Sequence, residues 1–173
     1  MSHKRKHSHR AALRDAEASP HAAPMCEFTA DMSVGIVTLD ADHMAIFEIA
    51  KLLLDTPHNP EHALVLSSVI AVLEEAVDGH FLREERAMRK AGYPRLVDHR
   101  RKHEKFRAHL KTVAEAYLQG TTSVVDGLPS FVSRWFSDHI RTKDSKYKDW
   151  VTSSAVDDRP LAFLSMEAED SRQ

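Results

Sequence analysis

Two pairs of potential metal ligands constrain the fold of this chain more than any other feature of its sequence. His80 and Glu84 are four residues apart, and so are His99 and His103. Side chains at positions i and i+4 of an α-helix lie on the same face, so each pair can direct two ligand atoms toward one point. The spacing therefore indicates a metal site built on helices.

Two further segments supply candidate ligands. His43 lies in an apolar segment early in the chain, and His139 and Asp144 lie in the segment WFSDHIRTKD near its other end. A lone histidine on an apolar stripe is more often a core residue hydrogen-bonded to a backbone carbonyl than a metal ligand. Five inward histidines would each need a partner, since burying an unpaired ring nitrogen is costly. A shared metal cluster satisfies all five.

The spacing of apolar residues predicts four helices, and the scarcity of glycine and proline, 5 and 7 in 173 residues, favours long helices over a turn-rich β fold. Their short connections predict an all-α protein, an antiparallel up-down-up-down four-helix bundle with an extended N-terminal lead-in. All seven candidate ligands then fall at one end of the bundle. The predicted helices run from about Asp40 to Asp55, Glu61 to Lys90, Leu96 to Leu118 and Leu128 to Trp150.

The chain divides into a central bundle with a polar segment on each side. We predict a disordered basic, histidine-containing tail at residues 1–25, the bundle at residues 26–151, and a loose C-terminal extension at residues 152–173. One spacing inside the bundle is irregular, because five residues separate His139 from Asp144 and turn an ideal helix by about 140°. We therefore predict a π-type widening or an unwound turn within residues 140–143.

Charge and cysteine content limit the partners and the compartment. The formal net charge of −2 gives no field that favours nucleic acid, and no apolar run reaches the roughly 20 residues that span a bilayer. The single cysteine, Cys26, cannot form an internal disulfide. We expect a cytoplasmic protein that binds neither nucleic acid nor membrane, and we expect a monomer, with any protein partner left open.

The ligand types narrow the choice of metal. Imidazole with carboxylate suits iron, zinc, copper or nickel, whereas calcium and magnesium prefer more oxygen ligands. The absence of ligating cysteine disfavours a structural zinc site. Only two carboxylates are available, fewer than in ferritin-like di-iron sites, so the set stabilises oxidising, high-valent iron less. Reversible binding is therefore favoured over oxygenation.

The motifs VGIVTLDADH, HFLREERAM, GYP, HRRKH and WFSDHIRTKD occur in an order that resembles the hemerythrin family, specifically its bacterial domains, over about residues 28–150. The resemblance implies a non-haem centre of two iron ions, bridged by oxide or hydroxide, that binds dioxygen. By position, one iron would be held by His99, His103 and His139, the other by His43 and His80, with Glu84 and Asp144 bridging them.

The resemblance also implies a function. We expect reversible dioxygen binding for oxygen storage, delivery or buffering, with no catalytic residues and no enzymatic activity. An oxygen or redox sensor domain and a di-iron peroxidase or oxidase are the alternatives. Helical spacing around the ligands predicts a pocket that excludes water from the bound gas, lined by Ile36, Phe47, Phe81, Trp135, Phe136 and Ile140.

Overall fold

The computed structural model describes residues 26–170, which form five α-helices joined by loops and short 3₁₀ turns. No β-strand occurs within these residues, so the predicted all-α class is confirmed. The predicted tail at residues 1–25 lies outside the described part of the chain. The helices are α1 (Val37–Asp55), α2 (Ala63–Lys90), α3 (Leu96–Leu118), α4 (Leu128–Thr142) and α5 (Leu161–Asp170).

The first four helices form the predicted antiparallel bundle. Helix α1 packs against α2 and α4, and α2 packs against α3. Tyr117, near the end of α3, donates a hydrogen bond of 3.2 Å from its hydroxyl to the carbonyl of Ala63, the first residue of α2. At the opposite end of the bundle, the ring of His43 near the start of α1 lies 4.6 Å from that of His80 in α2. Neighbouring helices therefore run in opposite directions.

The start of α1 differs from its prediction. The sequence predicts that this helix starts at about Asp40, but α1 begins at Val37, so Asp40 lies within its first turn. Its carboxylate instead reaches back to the lead-in, where it accepts hydrogen bonds from the backbone N–H of Val34 at 2.9 Å and the hydroxyl of Ser33 at 2.6 Å. These bonds satisfy polar groups that precede the helix and fix the angle at which the chain enters the bundle.

The interior of the bundle is apolar around the candidate site. Large side chains from each of the four helices are removed from water, and each full burial of this kind stabilises the fold by about 1.5–3 kcal/mol. The continuous core also surrounds the polar residues at one end of the bundle, which are therefore buried. Its fully buried members include Leu39, Ile46, Leu53, Leu73, Phe81, Phe106, Val132 and Phe136.

Residues 161–170 depart from the predicted loose extension, because they form α5 and pack along α2. Leu164 is fully buried, and Ser165 and Ala168 are buried beside it. A helix of ten residues gains most of its stability from such packing rather than from intrinsic propensity, so its own sequence gives a weak signal. Within residues 26–170 no helix combines the length and the apolarity needed to cross a membrane.

We expect Leu164→Ala to lower the free energy of unfolding by about 2–5 kcal/mol, because it leaves a cavity between α5 and α2. Met166→Ala is the control, since this side chain of the same helix is 64% exposed and its loss should cost about 0.5 kcal/mol or less. Urea denaturation measures both values. Equal, small effects would contradict the packing of α5.

Candidate metal centre

All seven predicted ligands meet at one end of the bundle. They come from four helices and from the turn after α4, and none of them is more than 4% exposed. The i,i+4 pairs on α2 and α3 face inward as their spacing predicts. The seven are His43 in α1, His80 and Glu84 in α2, His99 and His103 in α3, His139 in α4 and Asp144 after it.

Asp144 faces the site because α4 ends just before it. The α-helix stops at Thr142, Lys143 adopts φ −119° and ψ −55°, and a 3₁₀ turn begins at Asp144. The side chain of Asp144 is fully buried, with one carboxylate oxygen 3.1 Å from Nε2 of His139. The predicted irregularity at the end of this helix is confirmed, and it takes the form of an unwound turn.

The ligand atoms form two groups that share one carboxylate. One group contains Glu84 with three imidazoles, those of His99, His103 and His139, and its ligand atoms all lie within 4.8 Å of one another. The second group contains Glu84 with His43 and His80 at the same maximum separation. Glu84 therefore lies between two clusters of nitrogen donors.

Asp144 spans the same two groups. Its Oδ1 lies 3.1 Å from Nε2 of His139 and 3.4 Å from Nε2 of His99, while its Oδ2 lies 3.5 Å from Nε2 of His43. The two oxygens of this carboxylate are thus directed toward different groups. Both carboxylates therefore lie close to both groups of nitrogen donors.

The spacing of the donor atoms provides a test of fit for a metal. Nε2 of His139 is 3.0 Å from Nε2 of His99 and 3.1 Å from Nε2 of His103. Oε2 of Glu84 is 3.0 Å from Nε2 of His99 and 3.1 Å from Nε2 of His103. Donors about 2.1 Å from a shared ion are about 3.0 Å apart at octahedral angles and about 3.4 Å apart at tetrahedral angles. The observed separations of 3.0–3.1 Å are those expected of donors that share one metal ion.

Several buried polar atoms are left unsatisfied without a metal. Within residues 26–170, neither ring nitrogen of His43 and neither oxygen of Asp144 makes a hydrogen bond of normal geometry. Orphaned buried groups of this kind are rare, since each carries a desolvation cost of about 1–3 kcal/mol. A shared cation would satisfy them together, so the donor set fits a metal centre.

The electrostatics favour the metal-binding forms of both carboxylates and of His80. Burial alone would raise the pKa of Glu84, but the facing rings of His99 and His103 hold that pKa well below its usual range. Burial and the charge of Glu84 would likewise raise the pKa of Asp144, but its neighbouring histidines lower that pKa to about 2. Burial lowers the pKa of His80, which keeps this ring neutral. Ionised carboxylates and neutral imidazoles are the forms that bind metals.

An outer layer of hydrogen bonds, absent from the sequence prediction, orients the ligands. Asp42 accepts from Nδ1 of His80 at 3.2 Å, and Glu85 accepts from Nδ1 of His103 at 2.9 Å. Each bond leaves the Nε2 atom of its ring free to bind a metal. Asp42 adjoins His43 and Glu85 adjoins Glu84 in the sequence, which was the available signal. Which ring each carboxylate accepts from depends on the register of adjacent helices.

Tyr147 is a second contact that the sequence analysis missed. Its hydroxyl donates a hydrogen bond of 2.5 Å to Oε1 of Glu84. Burial, together with the charges of Glu84 and Asp144, raises the pKa of Tyr147 well above its usual value, so the hydroxyl stays protonated and remains a donor. The sequence could have indicated this contact, because Tyr147 follows Asp144 by one turn and the 3₁₀ turn directs both residues inward.

Three of the six predicted pocket residues contact the rings of the candidate histidine ligands. Phe81 stacks on His103 with ring centroids 3.8 Å apart, and Trp135 stacks on His139 at 4.2 Å. Phe136 lies 6.1 Å from the ring of His80 and 6.4 Å from that of His43.

The other three predicted pocket residues belong to the surrounding core. Ile36, Phe47 and Ile140 are all buried there. Phe47 contacts the ring of Phe28 at 6.4 Å, and Phe28 itself stacks on His43 at 6.2 Å, although the sequence analysis did not place Phe28 in the pocket. The side of the site around His43 and His80 is therefore enclosed by aromatic rings.

Comparison with known proteins agrees with this geometry. The model of the hemerythrin HHE cation-binding domain matches residues 34–151, a range that contains all seven candidate ligands. The chain belongs to the hemerythrin family. A bacteriohemerythrin of Stenotrophomonas maltophilia is 36% identical over 126 residues, which cover 70% of this chain and 78% of that protein.

Other hemerythrins show similar agreement. A bacteriohemerythrin of Pseudomonas aeruginosa is 36% identical over 129 residues, covering 72% of this chain and 80% of that protein. A myohemerythrin of Riftia pachyptila is 32% identical over 111 residues, covering 64% of this chain and 80% of that protein. Helix α5 lies beyond the range of the family model.

We expect Fe(II), added under argon to the metal-free hemerythrin, to raise its thermal unfolding midpoint. An ion that binds only the folded state stabilises it by about 2.7 kcal/mol at 100 times its Kd. The double substitution His99→Ala and His139→Ala should remove most of this gain. His109→Ala, an exposed histidine on α3, should retain it. Equal gains in the two variants, measured by scanning calorimetry, would contradict the site.

Proposed function

We propose that this hemerythrin domain holds two iron ions and binds dioxygen reversibly, in the service of oxygen storage, delivery or buffering. The observation that carries the proposal is the unequal division of the histidines around Glu84. Three imidazoles lie on one side of this shared carboxylate and two on the other. The side with two imidazoles has fewer protein ligands, so a small molecule can bind there without displacing any of them.

The distances given above support an assignment of the ligands. Two nitrogen groups with carboxylates between them suit a pair of ions better than one ion, because seven donors exceed the coordination number of a single octahedral ion. His99, His103 and His139 would hold one iron, His43 and His80 the other, and Glu84 and Asp144 would bridge them.

The composition of the donor set favours binding and release over oxidation of a substrate. When bound, a pair of ferrous ions supplies the two electrons that reversible dioxygen binding needs. The chain surrounds that pair with five imidazoles and two carboxylates, which bring less negative charge than the donors of ferritin-like sites. The protein therefore stabilises high-valent iron less. We accordingly propose a binding protein rather than an enzyme.

The aromatic enclosure has a role in this proposal. Phe28 and Phe136 lie against the rings of His43 and His80, on the side where the gas would bind. Apolar rings keep water and anions away from that side, which slows irreversible oxidation of the iron. On the other side, Tyr147 holds Glu84 by its hydrogen bond and limits the movement of the carboxylate.

Optical spectroscopy of the iron-loaded protein tests the proposal. The reduced protein should be colourless under argon, should develop a visible absorption band in air, and should lose that band again on degassing over repeated cycles. Rapid conversion to a form that degassing does not reverse would contradict storage and delivery and would favour a sensor. Sustained turnover of hydrogen peroxide with an electron donor would instead mark a peroxidase.

We expect Phe136→Ala to speed oxidation of the iron-loaded protein in air at least several-fold, because it opens the apolar wall beside His43 and His80. Ile140→Ala, at a buried position one turn later on α4, should act in the same direction. Phe131→Ala is the matched control, since Phe131 lies on the same helix but packs against Phe106 and His109. Decay of the visible band measures the rates, and equal rates in all four proteins would exclude these residues as a barrier.

A further inference from the structure

The chain carries an extra segment that reaches one ligand of the site from outside the family domain. We call residues 157–170 the C-terminal arm; it consists of a short lead-in and α5. The family model ends at residue 151, so the arm lies beyond the matched domain. The arm packs along α2, the helix that contributes His80 and Glu84.

Gly79 shows how closely the arm approaches α2. A Cβ atom added at Gly79 would lie 2.4 Å from the carbonyl oxygen of Leu161, a separation that side-chain carbons do not tolerate. Because the obstructing atom belongs to the backbone, a side-chain rotation cannot relieve the clash. The arm therefore contacts α2 directly at the residue that precedes His80.

Ion pairs hold the first part of the arm in place. Glu167 of α5 accepts from the guanidinium of Arg86 on α2 at 2.6 Å and from that of Arg159 at 2.7 Å. Arg159 also pairs with Asp157 at 2.6 Å. These groups are partly exposed, so no single pair stabilises the fold strongly, but together they fix the path of the backbone at Arg159.

Arg83 connects this backbone to the metal site. Its side chain is 3% exposed, and its guanidinium donates one hydrogen bond to the carbonyl of Arg159 and another to the carboxylate of Asp42. The other oxygen of Asp42 lies 3.2 Å from Nδ1 of His80. A continuous chain of polar contacts thus runs from the arm through Arg83 and Asp42 to His80.

Arg83 depends on the arm for its hydrogen bonding. Its Nε atom already lacks a partner among residues 26–170, so the loss of the Arg159 carbonyl would leave a second part of a buried cation unsatisfied. A buried cation in this state destabilises the folded protein unless its side chain moves toward water. Release of the arm would therefore draw Arg83 outward and remove the group that holds Asp42 in position.

From these contacts we infer that the C-terminal arm is a positioning element for His80, acting through Arg83 and Asp42. The arm keeps Asp42 on Nδ1 of His80, which fixes the ring orientation and presents Nε2 to the side of the site with two histidines. The ionised acceptor also increases the basicity of the ring toward a metal. This inference rests on the proposed function only where it concerns iron.

Four single substitutions test the inference. Gly79→Ala should displace the arm while Arg83 and Asp42 themselves are not substituted, and Gly127→Ala is its matched control, because a Cβ atom at Gly127 meets nothing within 4 Å. Arg83→Met breaks the connection but keeps an unbranched side chain of similar length. Asp42→Asn retains an oxygen acceptor and removes its charge.

The first measurement uses metal-free protein, so it does not depend on iron binding. ¹⁵N NMR of the histidine side chains should show a protonated, slowly exchanging Nδ1 at His80 in the native protein and in Gly127→Ala. That signal should be lost or exchange faster in Gly79→Ala, Arg83→Met and Asp42→Asn. Amide hydrogen exchange over residues 161–170 reports separately whether Gly79→Ala has released the arm.

The second measurement is a titration of the metal-free proteins with Fe(II) under argon. The affinity for the ion on the side of His43 and His80 should fall by about 10- to 100-fold in Gly79→Ala, Arg83→Met and Asp42→Asn. The affinity for the other ion should change much less. An unchanged His80 signal after release of the arm overturns the inference. If the arm stays bound in Gly79→Ala, an unchanged signal in Arg83→Met overturns it. A perturbed His80 signal in a protein that binds no iron would support the inference and refute the proposed function.

Discussion

The structure depends on the burial of seven polar ligands inside an apolar bundle. Isolated, such groups oppose folding, because each imidazole and carboxylate loses its hydration. They are tolerated here because donor atoms of six of them lie 3.0–3.5 Å apart, because that of His80 lies within 4.8 Å of those of His43 and Glu84, and because outer residues fix the orientation of the rings. The antiparallel arrangement makes the convergence possible, since it brings the start of α1 and α3 to the same end of the bundle as the end of α2 and α4.

Much of this arrangement is readable in the sequence, for definite physical reasons. Helical periodicity and the i,i+4 spacing of the ligands depend only on local geometry, and the bounds predicted for α3 agree with the structure. The five-residue interval from His139 to Asp144 also predicts a break in α4, because a regular helix cannot direct both side chains inward. Local constraints of this kind need no knowledge of neighbouring helices.

The features that the sequence did not reveal are set by tertiary packing. The hydrogen bond that Asp42 accepts from His80 joins residues 38 positions apart and depends on the register of α1 against α2. Helix α5 is short and depends on α2 for its stability, so its mixed sequence suggested a loose segment instead. Arg83 connects the two features, because it donates hydrogen bonds both to Asp42 and to the segment that leads into α5. It thereby links a segment outside the family domain to a candidate ligand inside that domain.

We propose that two iron ions lie between these helices, with Glu84 and Asp144 between them. Anomalous diffraction at the iron edge from crystals of the iron-loaded protein tests that claim most directly. The account predicts two anomalous peaks, one beside His99, His103 and His139 and the other beside His43 and His80. A single peak, or two peaks with Asp144 directed away from both, would contradict it.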